Sequence, residues 1–411
     1  MMKITKAISL TVMAILLINP AYADESLINA FKEGKPYADI RLRYEHVEQD
    51  GLINANAQTA RTRVGFKTAK FYDFSGAIEI ENIAVMGNDD YNDSRNGRTD
   101  HATVADVEST EINQLFLEHT GFLDTAIKVG RQAIVEDNQR FIGAVGWRQN
   151  NQTFDAVKIT NSSMENTEIK YGYIGNVNRI FGDAPASGDF ESNSHYYKIS
   201  NTSLLIGTIT TYGYLFDFQQ DSAANSSKTF GGILSGKVAL TDEVTFKYYG
   251  EYANQEDYGD NTTSYSTNYY HFAPAIECKG LTATVGYEVL GSDNGRFAFR
   301  TPLATGHKFN GWSDKFLTTP AMGLQDFYVD LTYKIKDLQG HFDFLNGFLA
   351  QFQYHDFNTD SGSLDHGSEW GLFFKQPVDK YMYVQAKYAN YSAENTSTDT
   401  QKWTFDVGIN F

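Results

Sequence analysis

Four arginines sit where their spacing matters. Arg41 and Arg43 are two residues apart, and so are Arg61 and Arg63. In an extended chain each pair shares one face. Glu79 and Glu81 repeat that spacing with the opposite charge in the next extended segment. Guanidinium groups bind carboxylates through paired hydrogen bonds. Two chemistries follow. The arginines form a cationic stripe that draws anions along a passage, or they brace a wall against Glu79, Glu81, Asp39 and Glu45. The two roles are compatible.

Two further groups carry recognition chemistry. Residues 130–155 hold Arg131, Arg140, Trp147 and Arg148 among several amides, with Lys128 just upstream. Arginine suits carboxylates, amides suit hydroxyls, and an indole face suits a sugar ring, a mix matched to an acidic saccharide. The plainer reading is a loop held by its own hydrogen bonds. Residues 296–316 hold Arg296, Arg300, His307, Lys308, Trp312 and Lys315 with Asp314 as the one acid. Such an aromatic, basic stretch is expected to fold inward and narrow a passage, or else to form a rigid cap at its rim.

The elements that position these groups read as strands. Tyr37–His46 places Ile40, Leu42 and Tyr44 opposite Asp39, Arg41, Arg43 and Glu45. Ala60–Thr68 and Ser75–Glu81 alternate likewise, as do segments through residue 391. Residues 403, 405, 407, 409 and 411 are apolar, alternate with Thr, Asp, Gly and Asn, and finish on Phe411. Lys3 and Lys6 precede an apolar run from Ala7 to Ile18, and Ala21-Tyr22-Ala23 is a cleavage-type tripeptide. The expectation is a signal peptide over 1–23 and, over 24–411, an all-β transmembrane antiparallel barrel of about 18 strands, with 16 as the alternative. Short connections (69–74, 241–242, 277–280, 377–380) alternate with long ones (82–110, 131–150, 176–193, 253–266, 291–324), the rhythm of periplasmic turns and external loops. Pro274 falls inside an expected strand and requires a bulge or a strand end there. In such a barrel, an Arg turned to lipid at midplane would cost roughly 2–4 kcal/mol, so all four ladder arginines are expected to face the lumen.

Composition agrees. Mean hydropathy is −0.41, as expected when only every second residue is apolar. Aromatic content is 14%, enough for girdles at both interfaces. Without residues 1–23, 32 basic residues face 51 acidic ones, a net charge of −19. That excludes nucleic acid as a partner and suits wet external loops facing lipopolysaccharide. One cysteine, Cys278, allows no internal disulfide. The sequence carries no G-x-S-x-G or H-E-x-x-H, and its nine histidines form no triad pattern; no enzyme, metal site or cofactor is expected. Asp89–Arg95 lacks the sixth-position glycine of a calcium loop.

The chain resembles the alginate export family of outer-membrane porins in Arg61–Phe66, Gly130-Arg131-Gln132, Arg140–Gly143, Trp147–Asp155 and Pro302–Leu317. That resemblance implies an 18-stranded monomeric barrel in the outer membrane of a Gram-negative bacterium. It implies an arginine-rich constriction that passes anionic polysaccharide, with Arg63, Arg131 and Arg148 as constriction candidates. The family's exporter closes its periplasmic mouth with a long turn near the C-terminal end. Here the turn Gln376–Lys380 is short, so the chain reads as a diffusion porin for small anionic solutes such as acidic oligosaccharides. A polysaccharide exporter and a closed adhesive barrel are the alternatives. Phe411 is the expected contact for the barrel-assembly machinery.

Overall fold

The computed structural model describes residues 25–182, 188–395 and 397–411. The signal-peptide expectation falls outside them. A short helix, α1 (Glu25–Lys32), leads into β1 (Lys35–Gln49) and lies against the turn after β2, where Phe31 stacks on Phe66 with ring centroids 6.4 Å apart.

Nineteen pairing segments form one antiparallel sheet. Two of them, Ser266–Phe272 and Ala275–Cys278, are halves of one strand: both pair with the strands on either side. The break falls at Ala273-Pro274, the bulge that the proline requires, because its nitrogen cannot donate to the ladder. The barrel therefore has 18 strands. In chain order the others are β2 (Ala55–Lys67), β3 (Phe74–Asp90), β4 (Ser109–Phe122), β5 (Thr125–Gln132), β6 (Thr153–Asn161), β7 (Thr167–Asn178), β8 (Asp189–Leu204), β9 (Gly207–Phe216), β10 (Ser227–Ala239) and β11 (Val244–Asp257). After the broken strand, β12, come β13 (Leu281–Leu290), β14 (Leu324–Lys334), β15 (Leu349–Asn358), β16 (Asp365–Pro377), β17 (Met382–Ala393) and β18 (Thr400–Asn410). Pairing of β1 with β18, from Asp39↔Asn410 to Gln49↔Thr400, closes the sheet and removes its edges.

The long connections expected from the sequence all emerge at one end. The first is shorter than the sequence suggests: β3 runs to Asp90, leaving 91–108 as loop, because a bulge between Ala57 and Thr59 keeps β2 and β3 in register. The turn Gln376–Lys380 is short, as expected, with Pro377 and Met382 ending the flanking strands. The opposite end does carry one extended turn that alternation alone does not reveal, 335–348 between β14 and β15.

The faces separate cleanly in β18. Trp403, Phe405 and Phe411 are exposed outward, while Thr404 and Asp406 are buried inward. On the outer face Trp403 packs on Tyr388 and Tyr388 on Trp370, with centroids 4.0 and 5.1 Å apart, forming part of one aromatic girdle; Tyr381 and Phe411 belong to the other end. Spin labels at 405 and 407 should report lipid and those at 404 and 406 a shielded, polar interior. An aqueous signal from 405 would show that β18 is shifted by one residue.

Candidate functional site

The four ladder arginines project into the barrel, and their partners come from far along the chain. Arg61 pairs with Asp39, and Arg63 with Glu81. Arg43 makes a bidentate contact with Asp406 on β18, at 2.7 and 3.0 Å. Arg41 has no carboxylate in ion-pair reach among the described residues. It donates to Gln149 Oε1 at 2.9 Å and to the carbonyl oxygens of Gly146 and Arg148. Glu79 accepts from Asn113 and Gln114. Arg41, Arg43 and Arg61 are buried, so the ladder does not stand bare in the lumen: a loop lies on it.

That loop is 133–152, between β5 and β6, and a second, 291–323 between β13 and β14, folds inward beside it. The two interlock through a parallel bridge at Ile142↔Leu303, with Gly143 N donating to Leu303 O at 2.9 Å. Gln152 Nε2 donates to both carbonyls flanking the bridge, Gly143 O and Leu303 O. Apolar side chains seat them. Phe141 stacks on Tyr214 at 5.0 Å and contacts Phe299; Phe316 packs between Phe357 and Tyr391. Phe141, Ile142, Phe299, Leu303 and Phe316 are all buried. Each such burial is worth roughly 1.5–3 kcal/mol, comparable with or above the roughly 1–2 kcal/mol per residue needed to order backbone, so the loops pack inside instead of waving above the rim.

Polar anchors fix the loops to the wall. Glu369 on β16 accepts from the backbone N–H groups of Trp312 and Ser313. Gly311 permits this approach, with φ +83° and a Cβ position only 2.5 Å from the Glu369 carboxylate. Arg140 meets Glu288 at 3.0 Å and Asn310 at 2.9 Å. Arg148 bridges Glu45 and Asp314, which also accepts from Lys402. Burial alone would raise the Asp314 carboxyl, but His307, Lys402 and Arg148 hold it well below its ordinary range. On the other wall Glu136 receives Lys158, Lys170 and Lys198, which outweigh its burial and keep it ionised.

Where the loops meet, Trp147 stacks on His307 (3.9 Å, 5° between planes). Lys387 Nζ lies 4.0 Å from the Trp147 ring centre and 4.4 Å from that of Trp312, and 2.8 Å from His307 Nε2. The ionised Asp314 can only accept, so His307 donates Nδ1–H to Asp314 Oδ1 at 2.7 Å and its Nε2 accepts from Lys387. No carboxylate lies in ion-pair reach of Lys387 among the described residues.

Several expected site residues sit elsewhere. Arg131 does not reach the lumen. Lys128 faces inward to Glu118, and Arg131 is three residues on, so the pleat turns it outward, where it pairs with Asp155 at 2.8 Å near the external rim. Trp147 and Trp312 offer no open ring face, being covered by His307, Arg43 and Lys387. Arg296 is exposed at a small hairpin (Ser292–Asp293 with Phe297–Ala298), and Arg300 lies over Phe297. Lys308 donates to Asn138 O, and Lys315 to Thr398 and Thr400. Asp106, Asp314, Lys387, Lys402 and, Lys128 apart, the lysine row on β5–β8 are not among the candidates of the sequence reading. The row has a signal: Ile127-Lys128-Val129, Val157-Lys158-Ile159, Ile169-Lys170-Tyr171 and Tyr197-Lys198-Ile199 repeat one apolar–Lys–apolar pattern.

Space inside is divided. An outer cavity of about 700 Å³ is lined by Trp147, Arg148, Arg179, Gly306, His307 and Asp314, among others. An inner one of about 300 Å³ is lined by Lys308, Phe309, Asn310 and the β11–β15 wall. They share no lining residue, so Gly306–Asn310 stands between them. Substituting Gly311→Ala forces a side chain into the left-handed region against Glu369, at roughly 1–3 kcal/mol. It should unseat this segment and make residues 296–316 cleavable by added protease; an uncut variant would contradict the anchoring role.

Comparison with known proteins places this architecture. A family profile described as alginate export matches residues 38–289, more than half of the chain. No curated protein sequence matches. Among solved structures, Acinetobacter baumannii OccAB4 aligns with a TM-score of 0.72 at 11% identity, over 93% of this chain and 99% of that one. Pseudomonas aeruginosa OccD3 (OpdP) aligns at 0.68 and 11%, over 93% of each chain. The outer membrane protein OpdK of Pseudomonas aeruginosa aligns at 0.68 and 11%, over 92% and 98%. The fold is that of an outer-membrane porin. Barrel architecture and sequence match agree: the chain belongs to the alginate export family and resides in the outer membrane.

Proposed function

We propose that this barrel is a diffusion channel for small anionic solutes, with acidic oligosaccharides of the uronate type as its substrate class. The observation that carries the reading is Lys387. It is a partly exposed lysine at the junction of the two inward loops, with no acid in ion-pair reach among the described residues. Arg41, Arg300 and Lys315 likewise lack a carboxylate in ion-pair reach there. Cations with spare valence on the loop side of the lumen favour carboxylate-bearing solutes, and their field acts over the short, water-poor span between the cavities. Arg63 and Arg148 already hold Glu81 and Glu45, so they shape the constriction, and a passing uronate would exchange with those carboxylates. Family membership supports an anionic saccharide. The short turn after β16 supports diffusion over plugged export.

Bilayer recording tests this. Under a KCl gradient, Lys387→Glu should lower the anion-over-cation permeability ratio severalfold; an unchanged reversal potential would overturn the assignment. Removing residues 296–316 should raise conductance and relieve block by a uronate trimer more than block by a neutral trisaccharide of equal size. Equal relief of both would remove the charge argument. A barrel that never conducts would favour the closed, adhesive alternative.

Lys315 adds a pH signature. Burial, with Lys402 nearby, pushes its ammonium down to about 8. It is charged below that value and neutral above it. Anion preference should therefore fall as pH rises from 7 to 9, and this fall should be smaller in Lys315→Arg, whose guanidinium stays charged. An undiminished step in the Arg variant would assign the titration to another group.

A further inference from the structure

The inner cavity has the opposite chemistry from the loop junction. Its wall on β13–β15 presents Glu288, Asp326 and Asp330. Glu288 is matched by Arg140 at 3.0 Å. Asp326 accepts from Asn310 at 3.0 Å and shares a hydrogen bond with His355 Nδ1 at 2.9 Å. Asp330 is different. Its partners are the Thr332 hydroxyl at 2.8 Å and the amides of Gln353, at 2.8 Å, and Gln351. Among the described residues no Lys, Arg or His lies in ion-pair reach of it. Lys308, the one lysine lining the cavity, is held by Asn138 O on the loop side.

A second observation points the same way. Two imidazoles line this wall, His271 (8% exposed) and His355 (5% exposed). His271 Nε2 is engaged by the Tyr328 hydroxyl at 2.8 Å and His355 Nδ1 by Asp326. The remaining nitrogens, His271 Nδ1 and His355 Nε2, have no hydrogen-bond partner. A carboxylate served only by neutral donors, beside orphaned ring nitrogens, is a site whose complement is a cationic N–H donor. The aromatic rings of Tyr249, Tyr328 and Phe309 surround the same space, and ring faces attract ammonium ions.

The geometry points to a binding site for a small organic ammonium ion in the inner cavity, with its N–H groups on Asp330 and His271 Nδ1 and its carbon chain along the rings. A metal ion is the weaker complement, because no His, Cys, Asp and Glu side chains among the described residues group as metal ligands. Size agrees: about 300 Å³ holds roughly ten waters at about 30 Å³ each, and so a solute of about that many heavy atoms. This site is independent of anion passage over Lys387.

Titration calorimetry of the full chain in detergent micelles tests it, with n-butylammonium chloride as probe, n-butanol as its neutral counterpart and MgCl₂ as the inorganic control. Butylammonium should bind saturably and butanol should not. Asp330→Asn should weaken binding at least tenfold. Thr284→Asp places a second carboxylate opposite Asp330 in the β13–β14 register and should tighten binding severalfold, a gain that misfolding cannot mimic. The proposal falls if butylammonium gives no saturable heat, if butanol binds equally, if Thr284→Asp fails to tighten binding, or if Mg²⁺ displaces butylammonium at a lower concentration than it needs itself.

Discussion

A closed barrel in lipid has nowhere to put charge except its interior. Each strand residue faces either hydrocarbon or lumen, and the cost of an outward arginine at midplane, roughly 2–4 kcal/mol, settles which. Arg41, Arg43, Arg61, Glu45, Glu81 and Asp406 are consequently gathered on one inner surface. Once gathered they must be neutralised at close range, because a buried charge left alone costs several kcal/mol. The wall does part of this through Arg43–Asp406 and Arg63–Glu81. Loop 133–152 completes it by laying its carbonyl oxygens and Gln149 over Arg41. The inward fold of that loop is thus as much a consequence of the ladder as of its own sequence.

The same constraint explains how much of the molecule the sequence discloses. Period-2 alternation reports which face meets lipid, so strand parity in β1, β2 and β18 can be read directly, as can the break at Pro274. Ion-pair partners cannot. Arg43 finds Asp406 at the far end of the chain, and Arg41 finds Gln149 in a loop; no local pattern encodes contacts that closure and loop packing create. Arg131 is instructive because the information is present. Lys128 and Arg131 lie three positions apart, an odd offset, in one regular strand, so both cannot face the lumen, and Lys128 has Glu118 to meet inside. Family resemblance assigns Arg131 to the constriction; strand parity assigns it to the rim, and the geometry follows parity. The indole faces of Trp147 and Trp312 were beyond sequence reasoning for another reason: the cations that cover them, Arg43 and Lys387, lie on β1 and β17.

Pairing is not complete, and where it fails is informative. On the side where the loops meet, the residues without an opposite charge in reach are cations: Arg41, Lys315 and Lys387. On the β11–β14 wall they are acids: Glu251, held by the Tyr212 hydroxyl at 2.6 Å and that of Tyr249, together with Asp330. A lumen built only for structural closure would pair these groups across the barrel, since each excess is the other's remedy. The inward loops prevent it by standing between them, with Gly306–Asn310 separating the cavities. The groups left without an opposite charge are thus segregated by sign across the barrel, and where they are ionised their field runs perpendicular to the barrel axis. Under the anion passage proposed above, a solute crossing such a field would be oriented before it is admitted, with its carboxylates drawn to the loop side. In that proposal, selection depends on how charge is distributed within the solute as well as on its net sign, which a ring of uniform charge could not achieve.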